Sequence, residues 1–287
     1  MKHQIPLEES ARADTALQNP RATRTRQVAV DLACKRLAIV NVVFYGKPGS
    51  PDRQWVLIDT GIPGTAGVIA RAAVQRFGRA SRPAAILLTH GHFDHVGALE
   101  NLAARWDAPI YAHVLEQPFL NGTSSYPPPD PTVGGGLMAA LSPLYPRGPI
   151  NVSPRLKVLP QRGEVPGMPG WRWLPTPGHS PGHVSLWRES DRALIAGDAF
   201  ITTNQESAYS VATQRPELHG PPQYYTPDWP QARASVQRLA ALEPELVITG
   251  HGRPMHGDTM RAALHLLVRD FDRIAVPEHG HYVRAAA

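Results

Sequence analysis

The 287-residue chain is short of cysteine, of long apolar runs and of clustered charge, and each shortage excludes a class of protein. The single cysteine excludes an intramolecular disulfide framework and any metal site built only from thiolates. The longest apolar runs, such as residues 37–44 and 84–88, have the length of a strand, so no membrane span is predicted. The first residues lack the apolar stretch of a secretory signal, and we therefore expect a cytoplasmic protein.

The charge balance is mildly basic, yet it does not predict a nucleic-acid partner. The 29 lysines and arginines exceed the 24 acidic residues by five, but no run of five or six like charges occurs. Hydrophobic residues make up 42% of the chain, which is enough for a substantial core. We expect a small-molecule substrate and no membrane partner, and a homodimer is left open.

Strand-like and helix-like segments alternate in both halves of the chain, which predicts two sheets with helices outside them. Strands are predicted at residues 27–33, 37–44, 54–59, 84–89, 109–112, 156–159, 171–174, 183–187, 193–197 and 245–249. Helices are predicted at residues 63–77, 96–105, 228–242 and 259–274. Residues 1–27 are interpreted as a flexible arm, and residues 28–287 as one catalytic domain with a Pro/Gly-rich insertion at about 121–155.

The densest group of metal-binding side chains directly follows the apolar run at residues 84–88. His90 and His92 are two residues apart, so an extended backbone points both rings the same way. Asp94 and His95 come where the chain turns into the next helix and can serve a second, neighbouring position. Imidazole and carboxylate ligands suit zinc first, with iron, manganese or cobalt as alternatives.

Three further candidate ligands also follow strand-like runs. His179 lies in the segment TPGHSPGH, Asp198 in AGD and His251 in TGHG. Loops that follow strands are favoured places for active-site residues, because a rigid sheet holds them in register.

Together these segments resemble the five motifs of the metallo-β-lactamase superfamily. Asp59-Thr60-Gly61 comes first, and the other motifs follow in order as His90-x-His92-x-Asp94-His95, His179, Asp198 and His251. The resemblance covers about residues 28–256. It implies an α/β fold, the four-layer αββα sandwich of two packed mixed β-sheets with helices outside, and a metal site at one edge of the sheets.

The resemblance also implies a ligand set and a mechanism. One ion would be held by His90, His92 and His179, the other by Asp94, His95 and His251, with Asp198 bridging them. Asp59 would hold a ligand histidine or a loop by hydrogen bonds. With two Zn²⁺, or iron or manganese in their place, a bridging hydroxide would cleave a small ester, lactone or thioester. Asp94 would pass a proton to the leaving group.

Substrate-contacting residues are expected in the insertion and in residues 200–227. The candidates are Phe200, His219, Tyr224, Tyr225 and Met138. For the two tyrosines a packed aromatic corner is the alternative, and Met138 could instead pack the insertion against the body. His183 is interpreted as a structural histidine that bonds to a backbone carbonyl.

The segment TPGHSPGH is similar to both quorum-signal lactonases and glyoxalase II enzymes. Those lactonases usually carry a tyrosine three residues after the bridging aspartate, where this chain has Ile201. Two other functions are compatible with the same motifs. One is a phosphodiesterase or nuclease, and the other is a mononuclear iron dioxygenase of thiols or persulfides.

Overall fold

The computed structural model describes residues 5–6 and 25–283. Within these residues the strands are β1 Ile5–Pro6, β2 Arg26–Ala29, β3 Leu32–Leu37, β4 Val40–Tyr45, β5 Val56–Ile58, β6 Ala85–Leu87, β7 Ile110–Ala112, β8 Leu156–Val158, β9 Trp171–Pro175, β10 Val184–Arg188, β11 Ala193–Gly197, β12 Glu217–Leu218, β13 Leu246–Thr249 and β14 Met255–His256. The α-helices are α1 Ala66–Phe77, α2 Phe93–Val96, α3 Leu99–Trp106, α4 Gln117–Leu120, α5 Leu137–Ala140, α6 Ala208–Thr213, α7 Trp229–Ala240, α8 Gly257–Arg269 and α9 Phe271–Ile274.

The described residues form two compact units. Residues 25–126 and 147–172 make the first unit, and residues 5–6, 127–146 and 173–283 make the second. Each contains one mixed sheet accompanied by helices, so the predicted two-sheet α/β architecture is confirmed. Most of the predicted arm, residues 1–4 and 7–24, lies outside the described part, and the single-domain interpretation stays a prediction.

The first unit is built on a seven-stranded sheet in the order β2-β3-β4-β5-β6-β7-β8. Strands β5 to β8 run parallel, whereas β2 to β5 pair antiparallel. The central strands β5 and β6 consist only of buried apolar residues, as expected of strands covered on both faces. Because they are parallel, with Ile58 opposite Leu87, their carboxyl ends lie at the same edge of the sheet.

The start of this sheet differs from the sequence prediction. The apolar pattern predicts two strands at residues 27–33 and 37–44, but the chain forms three short strands joined by tight turns. Ala38 adopts a left-handed conformation, with φ of 56°, and turns β3 into β4. The apolar pattern alone does not reveal this turn, because Ala38 and Ile39 continue the hydrophobic run.

A group of aromatic rings packs together within the core of the first unit. The Trp55 ring stacks on Phe77 at a centroid distance of 4.4 Å and meets Trp106 edge-on at 5.4 Å. Trp55 is completely buried, and its indole Nε1 donates a hydrogen bond to Ser81 Oγ at 2.9 Å. This core anchors α1 and α3 near the sheet whose edge carries the histidine motif.

The second unit contains a five-stranded sheet in the order β14-β13-β11-β10-β9. Here β11 and β13 are the parallel pair, with Gly197 opposite Thr249, so the loops that follow them share an edge. A separate pair joins β1 to β12 antiparallel. Helices α7 and α8 pack together, and their apolar faces join one core with the strands.

The helices of the second unit follow the sequence signals closely at their starts. Asp228 caps α7 as predicted, accepting a hydrogen bond from the Gln231 N–H at 2.9 Å, and Pro230 lies in the first turn. The helix expected at residues 259–274 is instead divided at Asp270, which leaves the helical conformation between α8 and α9. In the described part of the chain, no helix has both the length and the apolarity to cross a bilayer.

Candidate metal centre

The first group of predicted ligands lies at the edge where parallel strands of the first unit end. Asp59 follows β5, and His90 comes three residues after the end of β6, so the parallel pairing brings the two loops together. Asp59 is buried and adopts a left-handed backbone conformation with φ of 57°, which is uncommon for a residue other than glycine. Such conformations concentrate at functional sites, where the surrounding structure enforces them.

The Asp59 carboxylate organises this loop through three hydrogen bonds. It accepts from the Thr89 N–H at 2.9 Å, from the Thr89 hydroxyl at 2.8 Å and from His95 Nδ1 at 2.9 Å. Because a carboxylate only accepts, His95 carries its proton on Nδ1 and Nε2 keeps the lone pair. The predicted supporting role of Asp59 agrees with these contacts.

The same network sets the ring state of His90. The Thr89 hydroxyl donates to Asp59, so its oxygen accepts from His90 Nδ1, which lies 3.0 Å away. His90 therefore also presents the Nε2 lone pair, the form in which imidazole binds metals. The His90 and His95 rings lie with their centroids 4.1 Å apart.

Two buried residues that the sequence analysis missed hold the backbone between His90 and His92. The Gly91 N–H donates to Glu116 Oε2 and to the Tyr126 hydroxyl oxygen, each at 2.9 Å. The Tyr126 hydroxyl itself donates to Glu116 Oε2, and its ring lies 4.4 Å from that of His92. A Cβ on residue 91 would lie 2.7 Å from the Tyr126 hydroxyl, so a larger residue there would push against this buried side chain.

Burial explains the electrostatic state of this Tyr126–Glu116 pair. Desolvation and the neighbouring Glu116 carboxylate raise the pKa of Tyr126 well above its ordinary value. The phenol therefore stays protonated and acts as a hydrogen-bond donor. No sequence motif marks either residue, since Glu116 and Tyr126 lie 25 and 35 positions from Gly91.

The second group of predicted ligands converges at the sheet edge of the second unit. Asp198 follows β11 and His251 follows β13, while His179 lies in the loop from β9 to β10. Asp198 Oδ2 lies 3.0 Å from His251 Nε2 and 3.5 Å from His179 Nε2. One carboxylate oxygen thus faces two imidazole nitrogens, the arrangement expected of a carboxylate shared between two sites.

Hydrogen bonds also orient this second group. His179 Nδ1 lies 3.1 Å from the Thr226 hydroxyl, which donates to the Pro222 carbonyl and therefore accepts from the ring. The prediction that His183 bonds to a carbonyl is wrong, because its Nε2 accepts from the Asp198 N–H at 2.8 Å. His183 is still structural, since it fixes the backbone of Asp198, and its Nδ1 meets the Thr176 hydroxyl at 2.8 Å.

These side chains fit a metal in both geometry and chemistry. Each of the seven predicted ligands is buried and belongs to a group of histidine and aspartate side chains able to hold a metal ion. Two ligand atoms that each lie about 2.1 Å from one tetrahedral ion are roughly 3.4 Å apart. The distances from Asp198 Oδ2 to His251 Nε2 and to His179 Nε2 are close to this value. Asp94 is the second residue of the short helix α2, and its side chain is buried.

The candidate substrate residues occupy different environments within the second unit. Phe200 is completely buried in the apolar core, so the structure places it among packing residues. Tyr224 and Tyr225 are also buried, with ring centroids 5.0 Å apart, and Tyr224 lies 6.2 Å from Tyr145. Met138 is half-buried, and its carbonyl accepts from the Tyr145 hydroxyl at 3.1 Å.

His219 is also buried, but it lines a cavity of about 540 Å³. Its backbone pairs with Ile201, three residues after Asp198. The other four candidates are not among the residues that line this cavity.

Comparison with known proteins gives consistent relationships. The profile of the metallo-β-lactamase superfamily matches residues 36–251. A probable metallo-hydrolase of Bacillus subtilis, YflN, is 50% identical over 226 residues, covering 79% of this chain and 85% of the relative. The crystal structure of TTHA1623 in a di-iron-bound form is 27% identical, with a TM-score of 0.50, and covers 80% of this chain and 92% of its own. A β-lactamase domain protein from Burkholderia ambifaria shares the fold at 24% identity, with a TM-score of 0.61 and coverages of 90% and 78%.

Proposed function

The chain belongs to the metallo-β-lactamase superfamily and is a metallo-hydrolase with a His/Asp metal site, and from this premise we propose that it cleaves a small ester, lactone or thioester. The observation that carries the proposal is the fixed ring state of the buried histidines. Asp59 and Thr226 hold Nδ1 of His95 and His179, which leaves Nε2 as the metal-binding nitrogen.

We propose the ligand assignment that the family pattern implies. The first ion belongs to His90, His92 and His179, and the second to Asp94, His95 and His251, with Asp198 shared. When bound, two divalent cations supply an activated water and polarise the scissile carbonyl. The residues of this chain would orient the ligands, and Asp94 would take a proton from the attacking water and pass it to the departing oxygen or sulfur.

Zinc is the metal we propose, because buried histidine nitrogens and carboxylate oxygens suit it. Iron is the competing choice, since the solved relative TTHA1623 was crystallised with two iron ions. Metal analysis of the purified protein distinguishes them. Two zinc ions per chain support the proposal, whereas one iron ion together with oxygen uptake supports a thiol or persulfide dioxygenase.

The distribution of charge favours a small neutral carbonyl substrate over nucleic acid, because the chain has no run of five or six like charges. The lactonase tyrosine is replaced by Ile201, which is fully buried, so a lactone carbonyl would need another hydroxyl.

The test is a panel of lactones, thioesters and aryl esters assayed with metal-reconstituted protein. We expect turnover of at least one class, and its loss in a His92→Ala variant. The matched control is His113→Ala, which removes a histidine of the same unit outside the motifs. No turnover at full metal occupancy would refute the proposal. Cleavage of nucleic acid with steep salt dependence would identify a nuclease instead.

A further inference from the structure

The Pro/Gly-rich insertion at about residues 121–155 places one of its first side chains against the metal-ligand loop. Tyr126 belongs to the first unit and is 3% exposed, although its neighbour Ser125 lies at the surface. The Tyr126 N–H donates to the Arg147 carbonyl at 3.0 Å, and the Tyr126 carbonyl accepts from the Arg147 guanidinium at 3.3 Å. These bonds between two parts of the insertion fix the point at which the tyrosine side chain enters the first unit.

The Tyr126 side chain makes two kinds of contact with the ligand loop. Its hydroxyl oxygen accepts from the Gly91 N–H at 2.9 Å, and its hydroxyl proton goes to Glu116 Oε2, which accepts from the same N–H. Its ring stacks on Phe119 with centroids 3.8 Å apart and packs against the His92 ring at 4.4 Å. One residue of the insertion thus contacts both the backbone that precedes His92 and the His92 ring itself.

The other end of the ligand loop is held by a different part of the chain. Thr60 donates from its N–H and from its hydroxyl to the His95 carbonyl, at 2.7 Å and 2.8 Å. Asp59 accepts from His95 Nδ1 at 2.9 Å. Because these bonds come from the loop after β5 and not from the insertion, they remain in place when the insertion is altered.

We propose that Tyr126 is a positioning residue for the first ion alone. The hydroxyl holds the Gly91 backbone and the ring holds His92, so the two ligands that this loop gives to the first ion, His90 and His92, keep a fixed relative position. The inference rests on the proposed ligand assignment. It gives the insertion a part in metal binding in addition to the substrate contacts expected of it.

Chelator competition on the zinc-loaded protein tests this by counting bound ions, and it needs no substrate. Tyr126→Leu removes the ring and the hydroxyl and should weaken binding of one ion about 10- to 100-fold. The variant should therefore keep one Zn²⁺ at a chelator concentration at which the unmodified chain keeps two.

The matched control is Tyr45→Leu, which also removes a tyrosine ring packed against another aromatic residue, Trp171, in the same unit. Tyr45 lies opposite Val56, at the other end of β5 from Asp59, so this variant should keep both ions.

Retention of both ions in a folded Tyr126→Leu variant would overturn the inference. So would equal weakening of both ions, which is the result that a general loosening of the fold gives. If that variant does not fold, Tyr126→Phe decides, because it keeps the buried ring and loses only the hydroxyl. It should weaken binding of one ion about threefold, and unchanged binding of both ions would refute the inference.

The same measurements separate this inference from the proposed function. An unmodified chain that never holds two ions would refute the ligand assignment and this inference with it. Two bound ions without turnover of any ester, lactone or thioester would refute the proposed function alone.

Discussion

The two ligand groups are built at equivalent places but from different stretches of chain. In the first unit four candidate ligands come from one six-residue segment, His90 to His95, after a single buried strand. In the second unit three candidates come from three loops, and His179 and His251 are 72 positions apart. Both groups lie where parallel strands end, at β5 and β6 in one unit and at β11 and β13 in the other.

The supporting hydrogen bonds differ in the same way. A single carboxylate, Asp59, holds His95 directly and His90 through Thr89, so one residue governs two rings. In the second unit the support is divided, because Thr226 holds His179 and His183 holds the Asp198 backbone. A single substitution at Asp59 should therefore disturb two ligand histidines of the first group. A substitution at Thr226 or at His183 should disturb only one candidate ligand of the second group.

The largest expected effect is the loss of a ligand from the compact first group. We expect His92→Ala to lose metal and activity together, with activity falling by on the order of a thousandfold or more. Metal content measured by mass spectrometry on the purified variant and its initial rate test this. A variant that keeps full activity would contradict the assignment of His92.

The next largest effect is expected for the residues that hold the ligand histidines, Asp59 in the first unit and Thr226 in the second. Asp59→Asn should lower metal affinity about 10- to 100-fold, because two histidines lose their fixed orientation. Thr226→Val keeps the side-chain shape and releases only the His179 ring. Its loss of metal affinity should therefore be about tenfold or less. Competition with a chelator measures both affinities. Equal losses in the two variants would show that support is not concentrated in the first unit.

A third prediction concerns the backbone of the first group. Gly91→Ala places a Cβ against the Tyr126 hydroxyl and should destabilise the fold by about 1–3 kcal/mol. Tyr126→Phe removes that hydroxyl, so the double variant should recover part of the loss. Urea unfolding of the two single variants and the double variant measures the coupling. Additive losses would mean that the hydroxyl is not the clashing group.

The smallest effect on activity is expected at Cys34, which is buried in β3 of the first unit. Burial raises the pKa of its thiol from 9.0 to about 11, although the Arg26 charge opposes this. Because the thiol pKa is higher in the folded chain than in the unfolded chain, its contribution to stability is fully present at pH values below about 9. This contribution is lost as pH rises from about 9 to 11. Iodoacetamide labelling of native protein should therefore be slow at pH 8 and should follow opening of the first unit. Rapid labelling at pH 8 would contradict the buried state of the thiol.

The metal-ligand candidates can be identified from the amino-acid sequence because their signals are local. His90, His92, Asp94 and His95 crowd one loop after an apolar run, and each later candidate also follows a strand. Sequence patterns do not reveal Glu116, Tyr126 and Thr226, because their partners are distant along the chain. The turn at Ala38 is likewise hidden, since no glycine, proline or polar residue marks it.

For this protein the order of apolar strands and the spacing of histidine and aspartate determined the fold class and the ligand candidates by themselves, since both are periodic or local properties of the chain. The tertiary structure alone decided which nitrogen each ring presents, which residue holds the Asp198 backbone and which buried pair holds the Gly91 N–H. Hydrogen-bond direction and burial depend on groups brought together by folding across tens of residues, and no local pattern encodes them.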